Sequence, residues 1–528
     1  MEDINTLIIK DLIKSRVKTP NDLASFKRKV AKKYKTFCPS NIELLKVYHN
    51  LLKNEKVKSP KRIEELLKTK PIRSLSGIVN ISVLTKPYPC PGKCIYCPKE
   101  AGLPKSYISG EPAVERAKKF NFNPYLQVQK RIEMLENQGH PTDKIELRII
   151  GGTWSYYPKN YQEWFVKECF RACNDFNMFK TSNSQTLEKE QKRNEKAKHR
   201  IVGLSIETRP DFIDENEVKR LRKFGATMIE LGVQSIYDEV LKLNKRGHGV
   251  KEIIKATKLL REAGFKILYQ IMLNLPGSSL EKDEKMFEEL FSNSNFQPDY
   301  LKIYPCALLK EAPLYRYYKT GRYKPYSEKD LIKLIKNIKK KIPYYVRIQR
   351  ITRDIPASRI ASGPAKISNL RQIIANQSKN EGWQCHCIRC REVKGNYNSK
   401  EKIYLFSQNY KASEGNEIFL SFENKKRTKL YSLLRLRIPS ISKPIFPALK
   451  ESAIIREIQT FGEVVRIGTK KTAPQHQGLG KKLIKEAEKN IQKETKLKKI
   501  AVISGVGVRE YWRKAGYRLK NTYMVKNL

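Results

Sequence analysis

PCPGKCIYCPKE, Pro89 to Glu100, sets three cysteines, Cys90, Cys94 and Cys97, in a C-x3-C-x2-C spacing. Pro91, Gly92 and Lys93 let the backbone fold back, so the three thiolates converge on one side of a tight loop. Three thiolates fit three irons of a [4Fe–4S] cube and leave the fourth iron open. The amino and carboxylate groups of S-adenosylmethionine can chelate that iron, and an electron from the cluster then cleaves the sulfonium to a 5′-deoxyadenosyl radical. Half of a zinc site and ordinary buried cysteines are the alternatives, and the spacing favours the radical reading.

Outward from this loop, residues 76 to 345 alternate apolar strand-like runs with amphipathic helices. The runs are GIVNISVLT, IELRIIGGT, IVGLSIETRP, MIELGVQS, KILYQIMLNLPG and YLKIYP. Helical stretches such as PYLQVQKRIEMLENQG and VKEIIKATKLLREAGF lie between them and end near a glycine. Six such repeats predict an α/β fold, a parallel sheet curled into a partial (β/α)6 barrel. Ligands in barrels gather at the carboxyl ends of strands, where Gly151, Gly152, Thr153, Glu207, Arg209, Gln234 and Lys302 stand. The two glycines suit close backbone approach to the amino end of S-adenosylmethionine. Glu207, Arg209 and Gln234 suit its ribose and carboxylate, and Lys302 is a candidate catalytic group. Each taken alone could equally be a satisfied barrel-mouth side chain. KTSNSQTLEKEQKRNEKAKHR, near 180–200, has almost no apolar residues and reads as a mobile loop.

The chain has 528 residues, room for about three domains, with 106 Lys+Arg against 54 Asp+Glu, a formal +52. That excess points to a polyanion, above all nucleic acid bound through phosphates. Residues 1–75 read as a basic helical segment, and FKRKVAKKYK puts Lys27, Arg28, Lys29, Lys32, Lys33 and Lys35 on one helix. These form a phosphate-binding arm or a solvated surface. No apolar run approaches the roughly 20 residues of a membrane span, and MEDINTLIIKDLIKSR lacks the order of a signal peptide. Cysteines clustered for metal, not spread in pairs, fit the reducing cytoplasm.

Residues 346–400 read as a connector holding QCHCIRCRE, where Cys385, Cys387 and Cys390, with His386 nearby, have the spacing of a structural zinc knuckle short of one ligand. A second iron–sulfur cluster is the alternative. Cys169 and Cys173 share a helix face, and Cys38 and Cys306 stand alone. Residues 401–528 change style. KIYLFSQN, EIFLSFEN, YSLLRLRI, AIIREIQTFG and EVVRIGTKK read as strands, followed by APQHQGLGKKLIKEAEKNIQ and KIAVISGVGVREYWRKAGYRL. The run from Gln475 through Gly478 and Leu479 to Gly480 is a Q-x-x-G-x-G whose glycines bare N–H groups at a helix start, a seat for pyrophosphate. Tyr511 sits where a phenol could hydrogen-bond a coenzyme's thioester sulfur; a core tyrosine is the other reading.

A radical S-adenosylmethionine barrel joined to a GCN5-related acetyltransferase domain is a rare pairing. Together with KPIRSLSGI, CIYCP, NPYLQ, IGGT, IETRPD, ELGVQS, RGH, LKIYP, RDIP, CIRCREV, QHQGLG, AVISGVG and RKAGYRL, it makes the chain closely resemble the catalytic subunit of Elongator in its free-standing prokaryotic form. The likeness runs from about Phe26 to the C-terminus. It implies a tRNA wobble-uridine carboxymethyl synthase in which acetyl-CoA supplies an acetyl group, the radical domain abstracts hydrogen from its methyl, and the carbon adds to carbon 5 of uracil. It implies tRNA, through its anticodon loop, and an electron donor as partners, and leaves a homodimer open. By position, Lys144, the run Glu457, Ile458, Gln459 and Thr460, and Leu479-Gly480-Lys481 resemble the family's coenzyme contacts. The chain departs from the family in the short first cysteine gap, in Pro98-Lys99-Glu100 where PGG is common, and in Trp512, which stands for the second of two tyrosines and keeps only an aromatic surface beside the coenzyme. A protein lysine acetyltransferase with a structural iron–sulfur cluster is the competing function, with Glu463 as the nearest base.

Overall fold

The computed structural model describes residues 3–54, 61–69, 74–176, 186–394, 401–440, 443–462 and 478–528. Its first sheet is parallel throughout: β1 (Ile78–Leu84), β2 (Lys144–Ile150), β3 (Arg200–Thr208), β4 (Met228–Gln234), β5 (Lys266–Leu273), β6 (Tyr300–Pro305) and β7 (Arg347–Ile351) lie side by side in chain order. The six expected strands are all present. β7, from the stretch read as connector, pairs with β6 and adds a seventh. β1 and β7 do not pair, so the barrel stays open along one side.

The pleat explains where the site can be. Ile145, Leu147 and Ile149 of β2 are buried in the core shared with the outer helices. Lys144, Glu146 and Arg148, on the opposite face, line a cavity. Asn80 and Ser82 of β1 face the same way. The strand pattern thus puts the apolar face outward under helices and leaves the lumen polar, unlike a closed barrel filled by branched side chains.

The expected mobile loop is corrected in part. Residues 177–185 lie outside the described ones, but Leu187–Asn194 is a helix capped by Thr186. Leu187 is its one apolar anchor in the core, and polar contacts hold the rest: Asn174 Nδ2 donates to Glu190 at 2.7 Å, Asn194 Nδ2 donates to Asn174 at 2.8 Å, and Arg193 pairs with Asp175 at 2.9 Å. Composition alone misses a buried network of this kind.

The second sheet is mixed. β8 (Tyr404–Ala412), β9 (Gly415–Glu423), β10 (Leu430–Ile438), β11 (Ser452–Thr460), β12 (Lys499–Val502), β13 (Arg518–Lys520) and β14 (Tyr523–Asn527) run in the order β13-β14-β12-β11-β10-β9-β8. Only β11 and β12 are parallel, joined by a crossover that contains the helix Leu479–Glu494. EVVRIGTKK lies outside the described residues, as does Glu463. The four helices Ile4–Lys14, Pro20–Lys33, Asn41–Asn54 and Lys61–Leu67 close round Ile8, Ile9, Leu12, Leu44, Leu45 and Tyr48. No described helix is long and apolar enough to cross a membrane.

The two sheets meet backbone to backbone. A Cβ on Gly505 would stand 2.0 Å from the Val202 carbonyl oxygen, so the turn after β12 rests directly on β3 only because residue 505 is glycine. Around this contact lies a buried ion network. Arg456 reaches Asp299 and Glu417, and Arg435 reaches Glu457 at 2.7 Å. Each charge there is compensated by partners from both sheets, which ties their relative placement to one geometry.

Candidate active site

The cysteine loop follows β1 and covers the carboxyl end of the barrel. Cys94 is buried, Cys90 and Cys97 half-buried. Arg246 Nη1 donates to Cys94 Sγ at 3.5 Å. The hydrogen bond from Cys97 and then the Arg246 charge draw the Cys94 thiol down, while the same bond pushes the Cys97 thiol up, so the pair favours one thiolate, on Cys94. The three sulfurs are not drawn together to within 4.8 Å, as those of the second cysteine cluster are. One tetrahedral zinc would hold thiolates about 3.8 Å apart, given Zn–S near 2.3 Å. The triplet is thus gathered less tightly than a single tetrahedral ion would impose. Above it, Arg209 is locked to Asp211 by hydrogen bonds of 2.9 and 2.8 Å. Its third nitrogen, Nη1, is buried without a partner and lies 2.4 Å from where a Gly92 Cβ would be. A buried donor left over beside three thiols fits an anionic cluster or a carboxylate on it.

The other barrel-mouth residues gather here too. Thr153 Oγ1 lies 3.6 Å from Cys90 Sγ. Gly151 has φ +152°, and a Cβ on it would fall 1.9 Å from Thr85 Oγ1, so the missing side chain already makes room for Thr85. Gly152 borders the cavity more loosely. Gln234 ends β4 at φ +73°, a strained backbone for glutamine that turns the chain at the strand's end. Glu207 accepts from Tyr107 Oη at 3.0 Å, Gln270 Nε2 at 3.0 Å and Lys302 Nζ at 3.1 Å. Lys302 also holds Glu230. Burial alone would lower the Lys302 pKa; Glu230, Tyr304 and Glu207 override it, and the amine stays protonated. Lys302 is therefore suited to act as a fixed cation and not as a base.

At the other end, Tyr511 Oη, Ile458 Cδ1 and Thr460 Oγ1 stand 3.5, 3.7 and 3.7 Å from the place of a Gly480 Cβ. The end of β11, the start of the helix Leu479–Glu494 and Tyr511 thus converge on one point. Tyr511 is 40% exposed, which excludes the core-tyrosine reading, whereas Trp512 is buried in the core of the second sheet against Tyr517. Gly478 caps the helix in a left-handed conformation, and Lys481 faces the cavity in its first turn. Gln475 lies outside the described residues. Glu457 spends its carboxylate on Arg435 and Tyr300, between the sheets. Lys144 stands at the bottom of the barrel, facing this end.

One cavity of about 1930 Å3 joins the two ends. It is lined by the three cysteines and Gly151–Thr153 at the mouth, by Glu207, Gln234 and Lys302 within, and by Glu457–Thr460, Gly480 and Tyr511 below.

The second cysteine cluster lies apart. Cys385, Cys387 and Cys390 place their sulfurs within 4.8 Å of one another, close to the spacing a single tetrahedral ion imposes, and Lys339 Nζ donates to Cys390 Sγ at 3.6 Å. His386 instead stacks on Tyr344, centroids 4.4 Å apart. Of the basic N-terminal residues, Arg28, Lys29, Lys32 and Lys35 are exposed, while Lys27 donates to Asn41 at 2.9 Å and Lys33 pairs with Asp11 at 3.2 Å. Sequence reasoning gave no role to Tyr107, Glu230 or Arg246, although ELGVQS and RGH contain the last two. Glu230 carried a signal, a carboxylate inside the otherwise apolar run MIELGV.

An open parallel barrel with this cysteine loop defines a radical S-adenosylmethionine enzyme; residues 88–290 match the Radical SAM superfamily and 298–380 the Radical SAM C-terminal domain. The chain belongs to the family of tRNA uridine(34) acetyltransferases and Elongator complex protein 3. It is 46% identical to the tRNA uridine(34) acetyltransferase of Methanocaldococcus infernus over 93% of this chain and 92% of that one. It is 43% identical to that of Dehalococcoides mccartyi over 86% and 99%, and 37% identical to human Elongator complex protein 3 over 99% and 96%. The solved archaeal Elp3 of Methanocaldococcus infernus, lacking its N-terminus, superposes with a TM-score of 0.75 at 44% identity, covering 86% of this chain and all of that one. Radical SAM membership brings S-adenosylmethionine and a [4Fe–4S] cluster.

Proposed function

We propose that the chain builds a carboxymethyl group on carbon 5 of the wobble uridine of tRNA, with both carbons taken from acetyl-CoA. The single cavity reaching from the cysteine loop to Tyr511 supports this most directly, because it lets an acetyl group meet a radical without release. A relative's name, tRNA uridine(34) acetyltransferase, supports the RNA substrate. Bound at Cys90, Cys94 and Cys97, the cluster with S-adenosylmethionine supplies a radical able to remove a methyl hydrogen.

The chain's own residues bind and orient. Gly152 and Thr153 border the amino end of S-adenosylmethionine, with Gly151 shaping that turn; Arg209 Nη1, Glu207 and Gln234 are the groups for its carboxylate and ribose. Lys302 fixes a positive charge in the lumen. The N–H groups of Gly478 to Lys481, with Gln475, receive the coenzyme's pyrophosphate at a helix start, and Tyr511 directs its phenol at the thioester. Lys144 and the backbone of Glu457 to Thr460 border the coenzyme. Cys385, Cys387 and Cys390 hold a structural zinc. In this reading residues 1–75 bind tRNA, 76–345 form the radical domain, 346–400 the metal-bearing connector, which lends β7 to the barrel, and 401–528 the acyl domain. The setting is cytoplasmic, and an external donor supplies the electron.

Acetylation of protein lysine would leave the path from Tyr511 into the barrel without a use. Anaerobic incubation of tRNA with the protein, S-adenosylmethionine, acetyl-CoA and a reductant, followed by mass spectrometry of wobble nucleosides, should yield 5-carboxymethyluridine. Absence of that nucleoside while acetyl-lysine accumulates would contradict the proposal.

A further inference from the structure

Two arginines on the cavity wall lack an anion. Arg371, in the helix Leu370–Asn380, donates through Nη2 to the Ile348 carbonyl at 3.0 Å, and Arg389, in the short helix Ile388–Arg391, donates through Nη1 to the Gln349 carbonyl at 3.1 Å. β7 bulges at this point: Leu301 pairs with Ile348 and Lys302 with Arg350, leaving Gln349 as the extra residue. The bulge lets two successive carbonyls of an edge strand each take a guanidinium, which fixes both side chains against the same wall. Arg371 is half-buried and Arg389 exposed, and both line the cavity.

Nearby carboxylates are already committed. Glu392 pairs with Arg347 at 2.7 Å, and Glu423 with Arg391 at 2.6 Å. Among the described residues, neither Arg371 nor Arg389 has an ion-pair partner. Two further buried polar atoms on this wall, Gln349 Oε1 and Arg347 Nη1, have no hydrogen-bond partner among the described residues. Two forked cations beside an empty acceptor and an empty donor match a ligand that brings both an anionic oxygen and other polar groups.

We infer that Arg371 and Arg389 seat a phosphodiester of the substrate RNA where its strand enters the open side of the barrel. This rests on the proposed function above. Guanidinium forks suit phosphate oxygens, and β7 edges the side on which the sheet does not close. The coenzyme's pyrophosphate already has a seat at the start of the helix Leu479–Glu494, on the other sheet. Of the anions left, the coenzyme's 3′-phosphate and the polynucleotide, the polynucleotide is the one that an edge strand on the open side is placed to meet.

The test is a salt titration of binding to a synthetic anticodon stem-loop RNA with uridine at the wobble position, followed by fluorescence anisotropy on the full chain. R371Q/R389Q should make the log–log salt slope shallower by about 1.4, roughly 0.7 for each single-strand contact, a loss of about 25-fold in affinity at 0.1 M salt. Acetyl-CoA binding should be unchanged. R371K/R389K, which keeps both charges, should restore the slope. An unchanged slope in R371Q/R389Q would overturn the inference, as would an equal loss in R371K/R389K or a loss of acetyl-CoA affinity in place of RNA affinity. Failure of the wild-type chain to bind this RNA at all would instead strike the proposed function itself.

Discussion

Arg456 of β11 and Asp299, the residue before β6, are joined by hydrogen bonds of 2.8 Å (Nη1 to Oδ2) and 2.5 Å (Nη2 to Oδ1), with neither side chain exposed. This pair couples the strand that carries Glu457 to Thr460 to the strand that carries Lys302, so the spacing between the two ends of the cavity depends on it. Asp299→Asn would leave Arg456, Arg435 and Arg261 facing a neutral amide and should cost about 3–5 kcal/mol of stability. Burial by itself would raise the Asp299 pKa; Arg456, Arg435 and Arg261 override it and hold the carboxyl below its usual range. Its stabilising contribution is therefore complete above about pH 5 and is lost as the pH falls through about 4 and below, where the unfolded chain takes up the proton first. Thermal melts from pH 7 to pH 3 should show the wild type beginning to lose this increment while Asp299→Asn starts lower and changes less; parallel curves would refute it.

Cys94→Ala removes one of three thiols with no substitute close by. Cys306 packs in the same apolar cluster, but burial pushes its thiol up to about 12, which keeps it from serving as a thiolate. The variant should form no 5′-deoxyadenosine from S-adenosylmethionine and should still bind acetyl-CoA, whose proposed site is at the far end of the cavity. Wild-type yields of 5′-deoxyadenosine would exclude the triplet as the cluster site.

The basic N-terminal segment should contribute through Arg28, Lys29 and Lys32 of the helix Pro20–Lys33 and Lys35 in the turn just after it, more than through Lys27 and Lys33, whose ammonium groups are already engaged by Asn41 and Asp11. Charge reversal at the first four should remove roughly 0.7–0.9 from the salt slope of tRNA binding per true contact. A slope equal to that of the wild type would return this helix to a solvated surface.

Gly480 separates bulk from charge. A Cβ there meets Tyr511, Ile458 and Thr460 at ordinary contact distances of 3.5–3.7 Å, so Gly480→Ala should keep most coenzyme affinity. Gly480→Glu places a carboxylate at the proposed seat of the coenzyme's pyrophosphate, and acetyl-CoA binding should fall by at least tenfold, on the order of 1.4 kcal/mol. Reductive cleavage of S-adenosylmethionine should persist in both variants. Calorimetry showing equal affinities would move the coenzyme elsewhere.

The barrel was legible because each of its first six strands pairs an apolar face with a recognisable end, as in IIGGT and IETRP. The cysteine loop was legible from spacing alone. The lumen was harder: Glu207 reads as a ligand-binding carboxylate in sequence, yet in space it is held by Lys302, Tyr107 and Gln270, residues from three separate segments. β7 was missed because RIQRI alternates weakly and is buried only on one side. The helix Leu187–Asn194 was missed because it buries a single leucine, Leu187, and otherwise docks through Glu190, Gln191 and Asn194. Arg371 and Arg389 looked like two more positive charges among 106; only a bulge in β7 makes them neighbours.

The most direct test of a shared cavity follows the hydrogen that leaves the acetyl group. The protein is incubated anaerobically with tRNA, S-adenosylmethionine, a reductant and acetyl-CoA carrying three deuterons on its methyl carbon, and both products are weighed by mass spectrometry. Transfer inside one cavity predicts one deuteron in 5′-deoxyadenosine and two in the carboxymethyl group of the wobble uridine. Labelled uridine alongside 5′-deoxyadenosine free of deuterium would contradict it, because the acetyl carbon would then have reached uracil without meeting the radical.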